Sequence, residues 1–397
     1  ETIKENAPDS EVLLIGGEPE PPYSRMAIPY LLIGQIGEDG TYLRKTEGHY
    51  DKAGIRYRQG EVTGLDPAAK TLQLADGSSE AYDKLLIATG ASPIRPPVDG
   101  LDLPGVHHCW DLADARKIME LADPDEPVLL IGAGFIACII LEALIGRGVK
   151  LTVVEAQDRM VPRMVDEAAG DLIKRWCEGK GVTVHTDTRV SKVEQGDGGL
   201  LKVTMDNGES QAARLVVVAA GVKSNTDFLL GSGLDMDDGI VVNHRMQSNL
   251  PDIYAAGDCA KGPNFLGGSW SVHAIQPTAV DHGRIAALNM VGKEASFHGS
   301  LVMNVLDTAG LITVSFGAWD GVEGGESAST LDQDAFRYTK LSFDDDCLVG
   351  ALCIGRTENV GVLRGLIETR VALGPWKERL KKDPNRITEA YIACNYQ

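Results

Sequence analysis

The sequence has no apolar run long enough to cross a bilayer, and its opening residues lack the charged and apolar pattern of a secretory signal. A membrane span is therefore not expected, and the expected location is cytoplasmic. None of its seven cysteines (Cys109, Cys138, Cys177, Cys259, Cys347, Cys353, Cys394) forms a CxxC pair, and no histidine cluster accompanies them at metal-ligand spacing. That removes the usual structural zinc patterns, so no metal site is expected. The thiols read as small, reduced core residues. Positive charge is also scarce: 38 Lys and Arg stand against 57 Asp and Glu, a formal net charge of −19. Nucleic acid and anionic membrane are poor partners for such a surface, and an acidic partner protein would need a local basic patch. What remains is a soluble-type composition, 43% hydrophobic and 24% charged, in 397 residues. That is enough for two or three domains with large cores.

The most informative stretch is Pro127–Glu155. The apolar run Val128–Ile131 predicts a buried strand, and Gly132-Ala133-Gly134 follows it directly. A helical stretch from Phe135 to about Arg147 stops at Gly148, and a second apolar strand, Leu151–Val154, ends on Glu155. Strand, glycine turn, helix, strand and terminal carboxylate form the dinucleotide-binding pattern in its proper context. Gly132 allows a tight turn, Gly134 lets the backbone approach a pyrophosphate, and Ala137 keeps the helix close to the strand. The pyrophosphate would rest on the free N–H groups and positive dipole end of the helix. Glu155, about 20 residues on, is placed to grip a ribose 2′-hydroxyl. A carboxylate there repels a 2′-phosphate, so NADH is favoured over NADPH.

Elsewhere, Glu1–Asn6 reads as the tail of a helix, Ala7–Ser10 as a turn, and Glu11–Ile15 as a strand running into Gly16-Gly17-Glu18-Pro19. This is the second half of another dinucleotide unit, with Glu18 in the ribose-gripping place. By the spacing of the complete unit, the strand and glycine turn belonging to it are expected upstream of Glu1, in a longer gene product. The alternative is loss of the element, which would leave a sheet edge bare. Gly54–Asp66 reads as a strand with Thr71–Leu74 as its hairpin partner, and Tyr82–Ala91 as a buried strand ending in small residues. Pro93–Pro104 is a Pro- and Gly-rich linker. Strands follow at Gly181–His185, Arg189–Glu194, Leu215–Gly221 and Ile253–Asp258, then a helix at about Ile275–Met290. The LVVVAAG run repeats the pattern of LLIATG. From about Phe297 the pattern shifts to short alternating segments and one helix, Gly361–Leu373, which predicts a separate, mainly antiparallel α+β domain.

Taken together, IGGEP at 15–19, LLIATGA at 85–91, GAGFIACIILEAL at 132–144, VVAAGV at 217–222 and YAAGDCA at 254–260 resemble, in that order, the FAD/NAD(P)-dependent pyridine nucleotide-disulfide oxidoreductase superfamily. Within it the chain is most similar to NADH-dependent ferredoxin and rubredoxin reductases and to the flavin part of the NADH nitrite reductase large subunit. The resemblance covers roughly residues 1–295. It implies an α/β fold with two nested Rossmann-like dinucleotide-binding domains of three-layer ββα type, plus a C-terminal α+β interface domain. The FAD domain would be 1–103 with 223–295, the NAD domain 104–222, and the interface domain 296–397. FAD and NAD(H) are the implied cofactors. The implied activity passes electrons from NADH through flavin to a small redox protein or redox subunit. A homodimer through the C-terminal domain follows by analogy.

Residue by residue, the resemblance implies that Glu18 and Pro19 meet the FAD adenosine ribose and that the Val62 N–H reads adenine. Ala88, Thr89 and Gly90 would pass beside the flavin diphosphate. Asp258 would bind the ribitol with Gly257 allowing the approach; as an alternative or in addition, Asp258 reads as a helix N-cap. Gly132, Gly134, Phe135, Ile136 and Glu155 would bind NADH, and Gly221 would line its path. Trp270, His273 and Ala274 would flank the flavin or a domain boundary, His273 equally as a packing residue. Arg25 is the candidate catalytic residue, placed to stabilise reduced flavin, or else to meet a phosphate or a surface carboxylate. His107-His108 reads as a solvated loop.

The chain also departs from the superfamily. No CxxxxC pair exists, and Ser24 is followed by Arg25 where a peroxidase-type cysteine would stand. Tyr30 and Ile139 replace the Lys and Glu that pair near the flavin in ferredoxin reductases, both together, as expected if neither charge tolerates burial alone. An NADH oxidase or small sulfur-species reductase using Cys259 or Cys353 is one alternative. A flavin-less NAD-binding scaffold subunit is another, from a different class.

Overall fold

The structure is a computed structural model and describes residues 1–395. It divides into two compact units: residues 1–24, 37–92 and 222–300 form the first, and residues 25–36, 93–221 and 301–397 the second.

The second unit is built on a five-stranded parallel sheet in the order Thr183–His185, Lys150–Val154, Pro127–Ile131, Leu215–Val218, Val106–His107. Strands buried on both faces favour apolar side chains throughout, which Val128–Ile131 and Leu215–Val218 supply; Leu151–Val154 does so except at Thr152, whose hydroxyl accepts from Gln211 Nε2 at 2.7 Å. An antiparallel trio, Val190–Gln195, Leu201–Met205 and Ser210–Ala213, covers one face. Leu129, Val216, Val203 and Leu201 share the core between the two sheets. Helix Phe135–Gly146 packs against the parallel sheet, and its small residues Ala137 and Ala143 are buried. Three layers result, with the dinucleotide-type strand order. The His107–His108 expectation is corrected here. His107 lies in a parallel strand opposite Val217, and His108 Nδ1 is 3.0 Å from the Val218 carbonyl. Neither residue is in a solvated loop, because pairing with a strand more than 100 positions away determines their environment.

The same unit carries a five-stranded antiparallel sheet, ordered Met303–Thr308, Leu311–Gly317, Cys347–Ile354, Arg337–Asp344, Glu326–Asp332. Its edge strand, Glu326–Asp332, is mostly exposed and has no apolar alternation, so no sequence pattern announces it. A carboxylate joins helix Glu167–Gly179 to this sheet, alongside the Trp176 indole, which donates to the Ala309 carbonyl at 3.1 Å. Asp166 caps the helix, Oδ1 accepting the Ala169 N–H at 3.2 Å, while Oδ2 accepts the Tyr338 hydroxyl at 2.8 Å and the Lys340 ammonium at 3.1 Å.

In the first unit, Val12–Gly16 pairs in parallel with Ile55–Gln59, and Leu85–Ile87 with Ile253–Ala255. By position and terminal residues these pairs correspond to the two flanks of the parallel sheet above. No counterpart of Pro127–Ile131 occurs among the described residues. Accordingly no residue of Val12–Gly16 is fully buried, whereas four of five are buried in Pro127–Ile131. The single strand expected over Gly54–Asp66 is two strands, Ile55–Gln59 and Val62–Asp66; the second turns away to pair antiparallel with Thr71–Leu74.

Helix Gln276–Met290 closes the core of this unit through Ala286 and His282. The His282 ring is 0% exposed and stands edge-on to Phe297 at 4.7 Å. Neither ring nitrogen has a hydrogen-bond partner among the described residues. Burial, and secondarily His273, holds its pKa down at about 4, from an ordinary 6.5. The unfolded chain therefore binds this proton between pH 6.5 and 4 and the folded chain does not. Stability is full above pH 6.5 and is lost as pH falls through that window, by up to about 3 kcal/mol. Urea unfolding at pH 7.0 and 4.5 is expected to show this loss. His282→Leu should remove most of the difference without lowering stability at pH 7.0, and an unchanged pH dependence in the variant would refute the assignment.

Candidate functional site

The site in the second unit is built at the carboxyl ends of adjoining parallel strands. Ile131 is level with Val154 and Val218 across the sheet, and the chain turns sharply at Gly132. Gly132 has φ +100, and a Cβ on it would lie 2.5 Å from the Ala219 carbonyl oxygen, so only glycine fits. Gly134 then caps helix Phe135–Gly146 with extended backbone and no side-chain cap bond. No protein atom lies within 4 Å of a Cβ built on Gly134. The first-turn N–H groups thus face open space kept clear by a glycine, and Phe135 and Ile136 stand half-buried beside it.

Glu155 closes the other side. It is 7% exposed; Oε2 accepts the Ala133 N–H at 2.6 Å and Oε1 the Gln157 N–H at 2.8 Å. These backbone bonds hold the carboxylate rigidly at the strand end, beside the glycine turn. Glycine cradle, uncapped helix start and fixed carboxylate fit a dinucleotide with a free ribose 2′-hydroxyl. Gly221 has φ +109, and its carbonyl accepts the Ile94 N–H at 2.9 Å.

Arg25 belongs to this unit as well. Its Nη1 donates to the Trp110 carbonyl at 2.7 Å, and the guanidinium lies 5.5 Å from the centre of the Trp110 ring. It opens the short helical segment leading into Ile28–Leu32, which packs on helix Phe135–Gly146. Tyr30 on that segment is 53% exposed, and Ile139 is half-buried on the longer helix.

The candidate flavin residues fall in the first unit. Glu18 follows strand Val12–Gly16 and accepts the Tyr23 hydroxyl, with Pro19 exposed beside it. Burial first, then the carboxylates of Glu18 and Glu20, pushes the Tyr57 phenol above its ordinary pKa. Val62 begins its strand opposite Leu74, next to a bulge. Ala88 and Thr89 are exposed at the end of Leu85–Ile87. Asn225 binds this turn from both sides: its Nδ2 donates to the Thr89 carbonyl at 2.9 Å, its N–H donates to the Gly90 carbonyl at 2.9 Å, and the Thr89 hydroxyl donates to its carbonyl at 2.7 Å. Sequence reasoning missed Asn225, which stands 136 positions from Thr89 outside any recognisable pattern.

Asp258 sits in the 3-10 turn Gly257–Cys259, its carbonyl accepting the Ser224 hydroxyl at 2.7 Å. The N-cap expectation for Asp258 is corrected, since the following helix begins after Ile275. That helix approaches the turn instead, with Ala279 Cβ 3.3 Å from where a Cβ on Gly257 would lie. Trp270 is exposed and donates Nε1–H to the Val242 carbonyl at 2.9 Å, and Ala274 is exposed. His273 is buried against Asn264 and Ser271, and burial lowers its pKa. The residues expected at the ribose and ribitol thus lie in one unit, at strand ends and turns. A glycine turn for its pyrophosphate is not found among the described residues of this unit.

The thiols are all unpaired. Cys259 Sγ is buried and donates to the Ile87 and Ala256 carbonyls, both at 3.4 Å. Burial pushes the Cys353 thiol to about 12 and raises Cys259 as well. Neither is a ready thiolate at neutral pH.

The profile of the pyridine nucleotide-disulphide oxidoreductase family matches residues 2–283. Over 367 residues the chain is 32% identical to a protein of Aromatoleum evansii named NADH-dependent phenylglyoxylate dehydrogenase subunit epsilon, covering 91% of this chain and 86% of the relative. It is 30% identical to the assimilatory nitrate reductase electron transfer subunit of Bacillus subtilis, with 90% of this chain aligned to 46% of that protein. Among solved structures, the reductase in a covalent putidaredoxin reductase–putidaredoxin complex superposes with a TM-score of 0.89. That match has 21% identity and covers all of this chain and 95% of the reductase, a likeness of fold.

Proposed function

Because the chain belongs to the pyridine nucleotide-disulphide oxidoreductase family, whose members bind FAD and NAD(H), we propose that it is a FAD-dependent NADH oxidoreductase serving a redox protein or redox subunit. The observation that carries the NADH half is Glu155, buried and tied by two backbone N–H groups at the end of its strand. A carboxylate so held accepts bonds from ribose hydroxyls and repels a 2′-phosphate, so NADH is preferred over NADPH. The helix start beyond Gly134 offers N–H donors to the pyrophosphate.

FAD, when bound, supplies the ability to take electrons as a pair and release them singly. For that group this chain offers Glu18 at a ribose, the Ala88–Gly90 turn braced by Asn225, and Asp258 beside Gly257. Arg25 is proposed as a positive charge near the reduced flavin, and the three-domain partition given above is part of this reading. Neither Cys259 nor Cys353 stands ready to act as a nucleophile, which favours outward electron transfer over sulfur chemistry through them. The names of two relatives, an NADH-dependent dehydrogenase subunit and an electron transfer subunit, agree with that direction.

The test is to offer FAD to the purified full-length protein, record its visible spectrum, and then assay ferricyanide reduction. A yellow protein is expected, with kcat/KM for NADH at least about tenfold above that for NADPH, the value of one well-placed charge, and with no turnover of disulfides. A protein that stays colourless with FAD, or that prefers NADPH, would overturn the proposal.

A further inference from the structure

One face of the C-terminal antiparallel sheet carries a cavity of about 160 Å³ that the reading above does not use. It is lined by Thr330, Asp332, Arg337, Tyr338, Thr339, Arg356 and Asn385. The ladder explains why they converge. Thr330 pairs with Thr339 and Asp332 with Arg337, so all four side chains stand on the same face of two adjacent strands. The Tyr338 side chain, between Arg337 and Thr339, alternates to the opposite face, where its hydroxyl donates to Asp166, although the residue still borders the cavity. Arg356 arrives two residues beyond strand Cys347–Ile354, and Asn385 from the segment between helices Pro375–Lys382 and Ile387–Asn395.

The two guanidiniums have no hydrogen bond, ion pair or ring contact among the described residues, and neither is among the groups with further partners. The cations around them are taken: Lys377 and Lys381 both bind Glu326, and Arg386 binds Glu389. Asp332 lies across the ladder from Arg337, but its Oδ1 is committed to the Ala335 N–H at 3.1 Å. Thr339 is 2% exposed, and its hydroxyl meets only Asn385 Oδ1, at 3.5 Å, the outer limit of a hydrogen bond.

Two positive forks and one carboxylate leave the cavity one unit positive. We infer that it binds a small monocarboxylate carrying an amino or hydroxyl group on the neighbouring carbon. Its carboxylate matches the planar Arg337 and Arg356 forks, where a phosphate dianion would be opposed by Asp332. Thr330, Thr339 and Asn385 orient it, and Asp332 accepts from its amino or hydroxyl donor. The inference is independent of the flavin reading, since every residue it uses lies beyond the strands and turns that shape the dinucleotide site.

Isothermal titration of the full-length protein with lactate, glycine, acetate and inorganic phosphate, at ionic strength fixed with chloride, tests it. Saturable binding of lactate or glycine is expected at about 1–10 mM, with acetate several-fold weaker and phosphate weaker still. Arg337→Ala and Arg356→Ala should each weaken it at least about tenfold, and Arg356→Lys, which keeps the charge and removes the fork, should also weaken it. NADH titration of the same samples should be unchanged, which verifies that they are folded. No saturation by lactate or glycine, saturation by phosphate alone, or equal affinity in folded arginine variants would overturn it.

Discussion

Gly134→Ala is expected to weaken NADH binding severely while leaving the folded chain nearly as stable as before. A methyl group on Gly134 meets no protein atom within 4 Å, so the fold does not feel it. The residue has φ −73, which alanine adopts freely, and the loss of glycine at a helix N-cap costs at most about 1 kcal/mol. The space the methyl takes is the approach to the helix N–H groups, where a pyrophosphate must come within hydrogen-bond distance. Losing that approach should weaken binding about 100-fold, equivalent to about 2.7 kcal/mol. Gly132→Ala provides the contrast. There the Cβ would collide with the Ala219 carbonyl at 2.5 Å in a left-handed backbone, so stability and binding should fall together, stability by at least about 2 kcal/mol. Titration calorimetry with NADH alongside thermal unfolding separates the two. Full NADH affinity in Gly134→Ala would show that the nucleotide does not use this helix start.

Asp166→Ala should be among the most damaging substitutions outside that site, costing about 3 kcal/mol. Three losses coincide. The N-cap of Glu167–Gly179 is worth about 1 kcal/mol. The Tyr338 hydroxyl, on a residue 5% exposed, is left without its acceptor, at about 1–2 kcal/mol. Lys340 loses its carboxylate in a half-buried setting. Asp166→Asn has a single oxygen: with it at the cap, the amide NH2 faces the Tyr338 hydroxyl and Lys340 where Oδ2 accepted from both, so only the cap contribution is kept and the cost should be about 2 kcal/mol. Denaturant titration of both variants checks the ordering. Equal costs would place the whole effect in the Oδ2 bonds to Tyr338 and Lys340 and none in the cap.

Much of the architecture was legible because it is local. Apolar residues at every position from Val128 to Ile131, glycines directly after them and an acidic residue closing the next strand are consecutive facts of the chain. Backbone sterics and the helix dipole act over the same short range. The shared endings of LLIATG and LVVVAAG announced two related units for the same reason, and both runs end parallel strands. The cysteines read correctly as unpaired and mostly buried, since small sulfur side chains scattered through apolar runs have little other use.

Failures came wherever a distant partner decides. Glu326–Asp332 is a strand only because Arg337–Asp344 offers it a ladder, and no alternation of its own marks it. His107 is a strand residue because Leu215–Val218 lies beside it. The Ala88–Gly90 turn gave no sign that Asn225 would brace it.

By itself, then, the sequence determined the strand, glycine turn, helix and strand-end carboxylate of the second unit and the alternation of elements, all of which follow from neighbours along the chain. Only the tertiary structure decided which carboxylate joins helix Glu167–Gly179 to the C-terminal sheet, which thiols are shielded, and that Arg337 and Arg356 face one cavity. Those outcomes depend on pairings across many positions, where cross-strand register and burial select the partners and local propensity has no influence.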